Sequence, residues 1–228
     1  MPRFIAFVLL LCLSFAAHSQ ALDRSVFIRL ASSLVKIEAL APDGTLSLGA
    51  GVAIAPGRVA TNCHVTRNAA NITMLRGGLR WRVVGQLADV AHDICLLHAP
   101  RLDATPAPVG KVSLLKLGQQ VGAIGFEGGI GIQFRQGRVT ALHRHDGSNV
   151  LRSSTPFTSG ASGGGLFNNA GQRVGLLTFR QREVPALFHA GQLVGRRSEM
   201  DAIVAVDQSV GRHRQDQYQT LDRPGQRL

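Results

Sequence analysis

The sequence predicts an all-β protein built from two antiparallel barrels, and three observations predict it. Apolar runs rarely exceed eight residues, 26 Gly stand against only 9 Pro, and short strand-like segments recur at roughly even spacing on both sides of a proline-rich stretch. That pattern favours tight turns between short strands. It excludes a long-helix bundle, and it disfavours a parallel sheet, which needs crossover helices between its strands. With 228 residues and 45% apolar content, the chain can bury a sizeable core and is not disordered.

Residues 1–21 read as a secretory signal. Arg3 supplies the positive start, Phe4 to Ala17 form the apolar segment, and small residues stand at cleavage spacing as Ala17/Ser19 or Ser19/Ala21. The apolar segment is shorter than the roughly 20 residues of a spanning helix, so cleavage is expected and no stable membrane span remains. The mature chain then starts near Gln20 or Leu22, outside the cytoplasm, secreted or periplasmic. Cys12 leaves with the signal, so Cys63 and Cys95 remain in an oxidising compartment.

Asp23 is placed to cap a short helix over 24–31. Leu34–Leu40 alternates like a strand, and Gly49–Ala55 reads as a strand closed by the turn Pro56-Gly57. Arg58–Asn62 leads into Cys63-His64. Asn71–Leu75, Arg80–Leu87 and Asp93–His98 complete a first half, about 25–100. Ala99–Pro108 carries three prolines in ten residues and reads as the crossing between halves. Gln119–Gly125, Ile132–Leu142, Asn149–Arg152, Gly164–Phe167 and Arg173–Arg180 are the strands of a second half, about 110–195. Ser198-Glu-Met-Asp201 has the form of a capping box. Met200, Ile203, Val204 and Val210 share a helical face, and Gly211 offers a stop, which predicts a short C-terminal helix. The folded unit therefore spans 22–206, followed by a polar, flexible tail over 212–228.

The formal charge of +11 survives loss of the signal almost unchanged, but the basic residues are scattered. No block of five or six like charges and no aromatic platform accompanies them, and the chain reads as exported, so nucleic acid is not expected as a partner and a solvated basic surface is.

Three segments carry chemistry. His64 ends the run Val59-Ala-Thr-Asn-Cys, Asp93 opens the apolar run Ile94-Cys-Leu-Leu97, and Ser162 sits in the glycine turn Ser159-Gly-Ala-Ser-Gly-Gly-Gly165. A serine hydroxyl is a weak nucleophile near neutral pH and needs an imidazole to accept its proton. A carboxylate behind the imidazole fixes its tautomer. Backbone N–H groups must face the oxyanion that develops, and glycines around Ser162 permit Gly160 and Ser162 to present theirs together. Asp89 competes with Asp93 for the carboxylate role. Asp93 is preferred because a buried strand follows it directly.

Taken in order, these segments resemble the trypsin/chymotrypsin-like serine peptidases, nearest the bacterial HtrA-type branch without an appended PDZ domain. The likeness rests on Gly49-Ala-Gly-Val52, Thr61-Asn-Cys-His-Val65, Asp93-Ile-Cys-Leu-Leu97, Val121-Gly-Ala-Ile-Gly125, Gln136-Gly-Arg-Val-Thr140, Gly160-Ala-Ser-Gly-Gly164 and Val174-Gly-Leu-Leu-Thr-Phe179. The resemblance implies two six-stranded barrels with the site in the cleft between them. It implies His64 as general base, Asp93 as its orienting carboxylate and Ser162 as nucleophile, on a polypeptide substrate, through an acyl-enzyme, with no cofactor. By the same analogy Pro156, Phe157, Thr158 and the strand Thr178-Phe179-Arg180 line the primary pocket. They contain no carboxylate, so a small or medium apolar side chain is expected there, with Arg180 able to attract an acidic one instead.

Ala161 departs from the Asp or Asn of the resembled enzymes, so an activating salt bridge from that position to a freed amino terminus is not expected. The likeness fades after Val184. If His64 and Asp93 meet, Cys63 and Cys95 are close as well, which makes a disulfide between them plausible, the alternative being two buried thiols. His92/His98 and His143/His145 lack companion ligands, so no metal site is expected. Gly160-Ala-Ser-Gly-Gly164 also satisfies the nucleophile elbow of α/β-hydrolases, but Pro156 before it and the glycines after it oppose the required strand and helix. A catalytically silent binding or holdase module of the same architecture is the remaining alternative.

Overall fold

The computed structural model describes residues 24–145, 148–181, 200–205 and 219–220. The signal segment, Asp23 and the region around Val184 lie outside the described residues. Helix α1 (Arg24–Ala31) is followed by β1 (Leu34–Leu40), β2 (Leu46–Ala55), β3 (Arg58–Thr61), the single turn α2 (Cys63–Thr66), β4 (Asn71–Arg76), β5 (Leu79–Arg82), β6 (Gly85–Asp89) and β7 (Ile94–His98). A second series follows: β8 (Gln120–Glu127), β9 (Gly131–His145), β10 (Ser148–Ser153), β11 (Gly165–Asn168), β12 (Arg173–Leu176), β13 (Thr178–Gln181), β14 (Met200–Ala205) and β15 (Gln219–Thr220).

The strands form two antiparallel sheets, ordered β15-β6-β7-β3-β2-β1-β4-β5 and β12-β11-β8-β9-β10-β14-β13. Two segments that read as single strands are each broken in two. Between β5 and β6 the chain changes partner: the Val83 N–H donates to Ile72 O on β4, and the Val84 N–H to His98 O on β7. Between β12 and β13, Leu177 leaves the ladder and bonds instead to the glycine turn around Ser162. Counting each broken pair as one strand, and setting aside β15, leaves six per sheet. These breaks are corners, where a twisted sheet curls by passing a strand from one neighbour to the next.

One expectation fails near the C-terminus. Met200–Ala205 is a strand, not a helix, and its partners are β10 and β13. Its β-branched and apolar residues suit either state, and the two flanking strands supply hydrogen bonds that a terminal helix could not. Within the expected flexible tail, Gln219–Thr220 pair with Gly85–Gln86 of the first sheet.

Each sheet encloses its own core, one around Val35, Ile37, Val59, Met74 and Leu97, the other around Val121, Leu151, Phe157, Leu166 and Leu177. A third cluster joins them: Leu34, Val52 and Ala60 meet Ile124, Phe126, Phe167 and Leu176, with Leu30 of α1 packed on top. The crossing segment is stitched to both halves. The Ala107 N–H donates to Ala53 O, and the Gly110 N–H to Arg173 O. Packing between the sheets therefore fixes the seam along which the candidate residues lie. Among the described residues, no helix is long and apolar enough to cross a membrane.

Candidate active site

His64 stands in α2, one turn of helix begun by Asn62 in extended conformation at the end of β3. Asp93 closes the hairpin loop between β6 and β7. The two meet: His64 Nδ1 lies 2.7 Å from Asp93 Oδ2, and the His64 backbone N–H donates to Asp93 Oδ1 at 2.9 Å. One carboxylate thus holds both the ring and the main chain of the same histidine. With its proton on Nδ1, the imidazole keeps its Nε2 lone pair free to accept another. Asp89, the competing carboxylate, faces elsewhere and pairs with His92.

The strands that carry the pair are tied behind it. Cys63 and Cys95 form a disulfide with Cα atoms 4.9 Å apart, linking the residue before His64 to β7. Thr61 and Cys95 are register partners on β3 and β7, so the bridge reinforces an existing ladder. Asn62 was not singled out in the sequence, yet it spans both halves of the site. Its buried amide donates to Asp93 O at 2.9 Å and to Thr178 Oγ1 at 2.8 Å. A polar residue between Thr61 and Cys63, in a run that must be buried, was the available signal.

Ser162 is buried in the turn that precedes β11, and main-chain contacts press this turn against the first sheet. The Ala50 N–H donates to Ser162 O at 2.8 Å. Gly163 has φ +83°, and a Cβ there would collide with Ala50 O and Thr61 Oγ1, so only glycine permits this approach. A Cβ on Gly49, beside Ala50, would meet both the Val65 side chain and Ser162 O. The neighbour of His64 and the carbonyl of Ser162 therefore converge on one glycine.

The N–H groups of the turn divide into two sets. Those of Ala161, Gly163 and Gly164 donate to Thr158 O, Leu177 O and Ala161 O respectively. Those of Gly160 and Ser162, both buried, have no protein acceptor among the described residues. Buried backbone donors are nearly always paired, so two left open within three residues are unusual. Gly160 adopts φ +91° and is packed on Phe126 O, while the Gly128 N–H holds Ser159 O at 2.8 Å. The β8–β9 hairpin thereby buttresses the turn.

The residues expected at the primary pocket have different fates. The Phe157 ring is 2% exposed and belongs to the second core, whereas Thr158 is exposed. Thr178 is half-buried and occupied by Asn62. The side chains of Phe179 and Arg180 lie outside the described ones. Ala161 is buried and packed against Gly125. Among the described residues, no group of three or more His, Cys, Asp or Glu is gathered to hold a metal ion.

A double-sheet fold with a histidine–carboxylate pair on the first sheet and a serine in a glycine turn bonded to that same sheet defines a class, and the sequence match agrees. The chain belongs to the trypsin-like peptidase domain family, whose model covers residues 49–176 and so includes His64, Asp93 and Ser162. Among individual relatives, it is 28% identical over 185 residues to the serine protease Rv3671c of Mycobacterium tuberculosis (strain ATCC 25618 / H37Rv), covering 75% of this chain and 46% of the relative. It is 36% identical over 138 residues to a probable periplasmic DegP-like serine endoprotease of Pseudomonas fluorescens, covering 57% of this chain and 29% of the relative. The chain thus spans less than half the length of either. The active form of the Rv3671c protease shares the fold with a TM-score of 0.70 at 23% identity, over 83% of both chains. The HtrA-type protease AlgW, solved with a tripeptide, superposes with a TM-score of 0.66 at 22% identity, over 81% of this chain and 59% of that one.

Proposed function

We propose that this chain is a serine endopeptidase, secreted or periplasmic, which hydrolyses peptide bonds of extended or unfolded polypeptides. The observation that carries the reading is the 2.7 Å contact between His64 Nδ1 and Asp93 Oδ2, supported by the Ala50 N–H bond that ties the Ser162 turn to the same sheet. His64 Nε2 takes the proton of Ser162 Oγ as the oxygen bonds to the scissile carbonyl carbon. The imidazolium, stabilised by Asp93, returns that proton to the leaving nitrogen as the C–N bond breaks. Water then repeats the sequence on the acyl-enzyme. The open N–H groups of Gly160 and Ser162 receive the oxyanion, each worth about 3 kcal/mol in the transition state. Strand β13 lies at the edge of its sheet, which supports pairing with a substrate strand on the acyl side. By analogy with the resembled peptidases, Pro156, Thr158 and Thr178–Arg180 are assigned to that side, Phe157 being taken up by the second core. Without a carboxylate among them, a small or medium apolar residue is the preferred one before the scissile bond. Export rests on the segment 1–21 and on the periplasmic relatives.

The test is degradation of denatured casein by the mature chain, with the Ser162→Ala variant in parallel. Cleavage that disappears in the variant while its melting temperature is kept supports the reading. A wild-type chain that binds casein without cutting it supports instead a protease-like binding module.

A further inference from the structure

The loop that delivers Asp93 is itself held by a second histidine–carboxylate pair. Asp89 and Ile94 are register partners at the ends of β6 and β7, so residues 90–93 form a four-residue hairpin loop. The Asp93 N–H closes it on Val90 O at 3.3 Å, and Asp93 adopts φ +56°, shared in sign among described non-glycine residues only with Asn68. Left-handed backbone is strained for a non-glycine residue and persists only where the surroundings over-determine it. On its far side Asp93 O is gripped by the Cys63 N–H at 3.3 Å and by Asn62 Nδ2. On its near side the grip is Asp89. Its Oδ1 accepts the His92 backbone N–H at 3.3 Å, and its Oδ2 stands 2.8 Å from His92 Nδ1. Cys63 Sγ lies 3.8 Å from Asp89 O, a contact without a proton because that sulfur is in the disulfide.

We propose that Asp89 and His92 are positioning residues: their pair clamps the peptide entering Asp93 in the left-handed turn and so sets the aim of the Asp93 carboxylate at His64. The inference rests on the reading of Asp93 as the partner that orients the base. Neither residue touches the reacting atoms. Both side chains are partly exposed, 24% for His92 and 31% for Asp89, and the bonds span three residues. Such a local, solvated tie adds little to global stability, so its loss should be visible in chemistry before it is visible in melting.

The experiment follows inactivation of the mature, disulfide-intact chain by an alkyl fluorophosphonate, resolved into the maximal rate kinact and the half-saturation constant KI. For His92→Ala, kinact should fall about tenfold with KI unchanged, since a slightly misaimed orienting group slows only the chemical step. His92→Asn, whose amide nitrogen can replace Nδ1 as donor to Asp89, should recover most of that loss. Asp89→Ala should match His92→Ala, and the double variant should be no slower than either, as expected for one shared interaction. Unchanged kinact in His92→Ala would overturn the clamp. So would a fall in kinact that parallels a fall in melting temperature and is not rescued by Asn. A wild-type chain inert to the probe would instead remove the parent reading.

Discussion

His64 and Asp93 are held by side chains, whereas Ser162 is held by backbone. On the first sheet, one carboxylate grips both ring and main chain of His64, the Asn62 amide reaches across to Thr178, and a disulfide ties β7 to the residue before His64. On the second sheet, the turn around Ser162 is fixed by N–H to carbonyl bonds with Ala50, Leu177 and Ala161, and by glycines too tightly packed to carry a Cβ. The difference has a chemical origin. The first half must hold a charge-bearing pair in one geometry, which side chains do with directional bonds. The second leaves the N–H groups of Gly160 and Ser162 without an acceptor among the described residues, which requires the backbone itself to be shaped and the neighbouring side chains to be absent.

The comparison is broken most severely at the carboxylate. Asp93→Asn keeps the shape but offers Nδ1 of His64 an amide in place of an anion, so kcat should fall about 10⁴-fold, by analogy with the worked serine-protease triad. Steady-state hydrolysis of a peptide amide measures it, and near-normal turnover would remove Asp93 from the mechanism. On the other half, a methyl group suffices. Gly163→Ala combines φ +83° with a clash against Ala50 O and Thr61 Oγ1. It should cost about 2–4 kcal/mol of stability and, by tilting the Ser162 N–H, about 10²-fold in kcat. Denaturant unfolding and active-site titration separate the two effects. The disulfide should matter least for rate. Replacing Cys63 and Cys95 together by Ala opens a loop of sequence separation 32 and should cost about 3–4 kcal/mol of stability. The bonds between His64 and Asp93 do not run through sulfur, so kcat should drop less than tenfold where the protein remains folded. A loss as large as that of Asp93→Asn would show that the side-chain bonds do not hold the first half without covalent help.

The two halves were unequally legible in the sequence. The Ser162 turn stood out because backbone constraint leaves glycines, and Gly160, Gly163, Gly164 and Gly165 are visible as letters. His64 and Asp93 were legible through the apolar runs that abut them, and the cysteines through their neighbourhood to both. Asn62 and the Asp89–His92 pair were not, since a polar residue in a short segment declares neither its partner nor its burial. Most strands were legible from alternation. The corners at Val83–Val84 and Leu177 were not, because a strand changes partners there without changing its residue pattern. Met200–Ala205 misled for a related reason: Met200, Ile203 and Val204 fit a helical face, and only the open edges of β10 and β13 decide for a strand.

The central claim, a hydroxyl at 162 activated by the imidazole at 64, is tested most directly by mass spectrometry of the mature chain after treatment with a fluorophosphonate. The account predicts a single adduct on the peptide containing Ser162, formed by the wild-type chain and absent from His64→Ala treated in the same way. An adduct on another residue, or labelling of Ser162 at equal rate without His64, would contradict it.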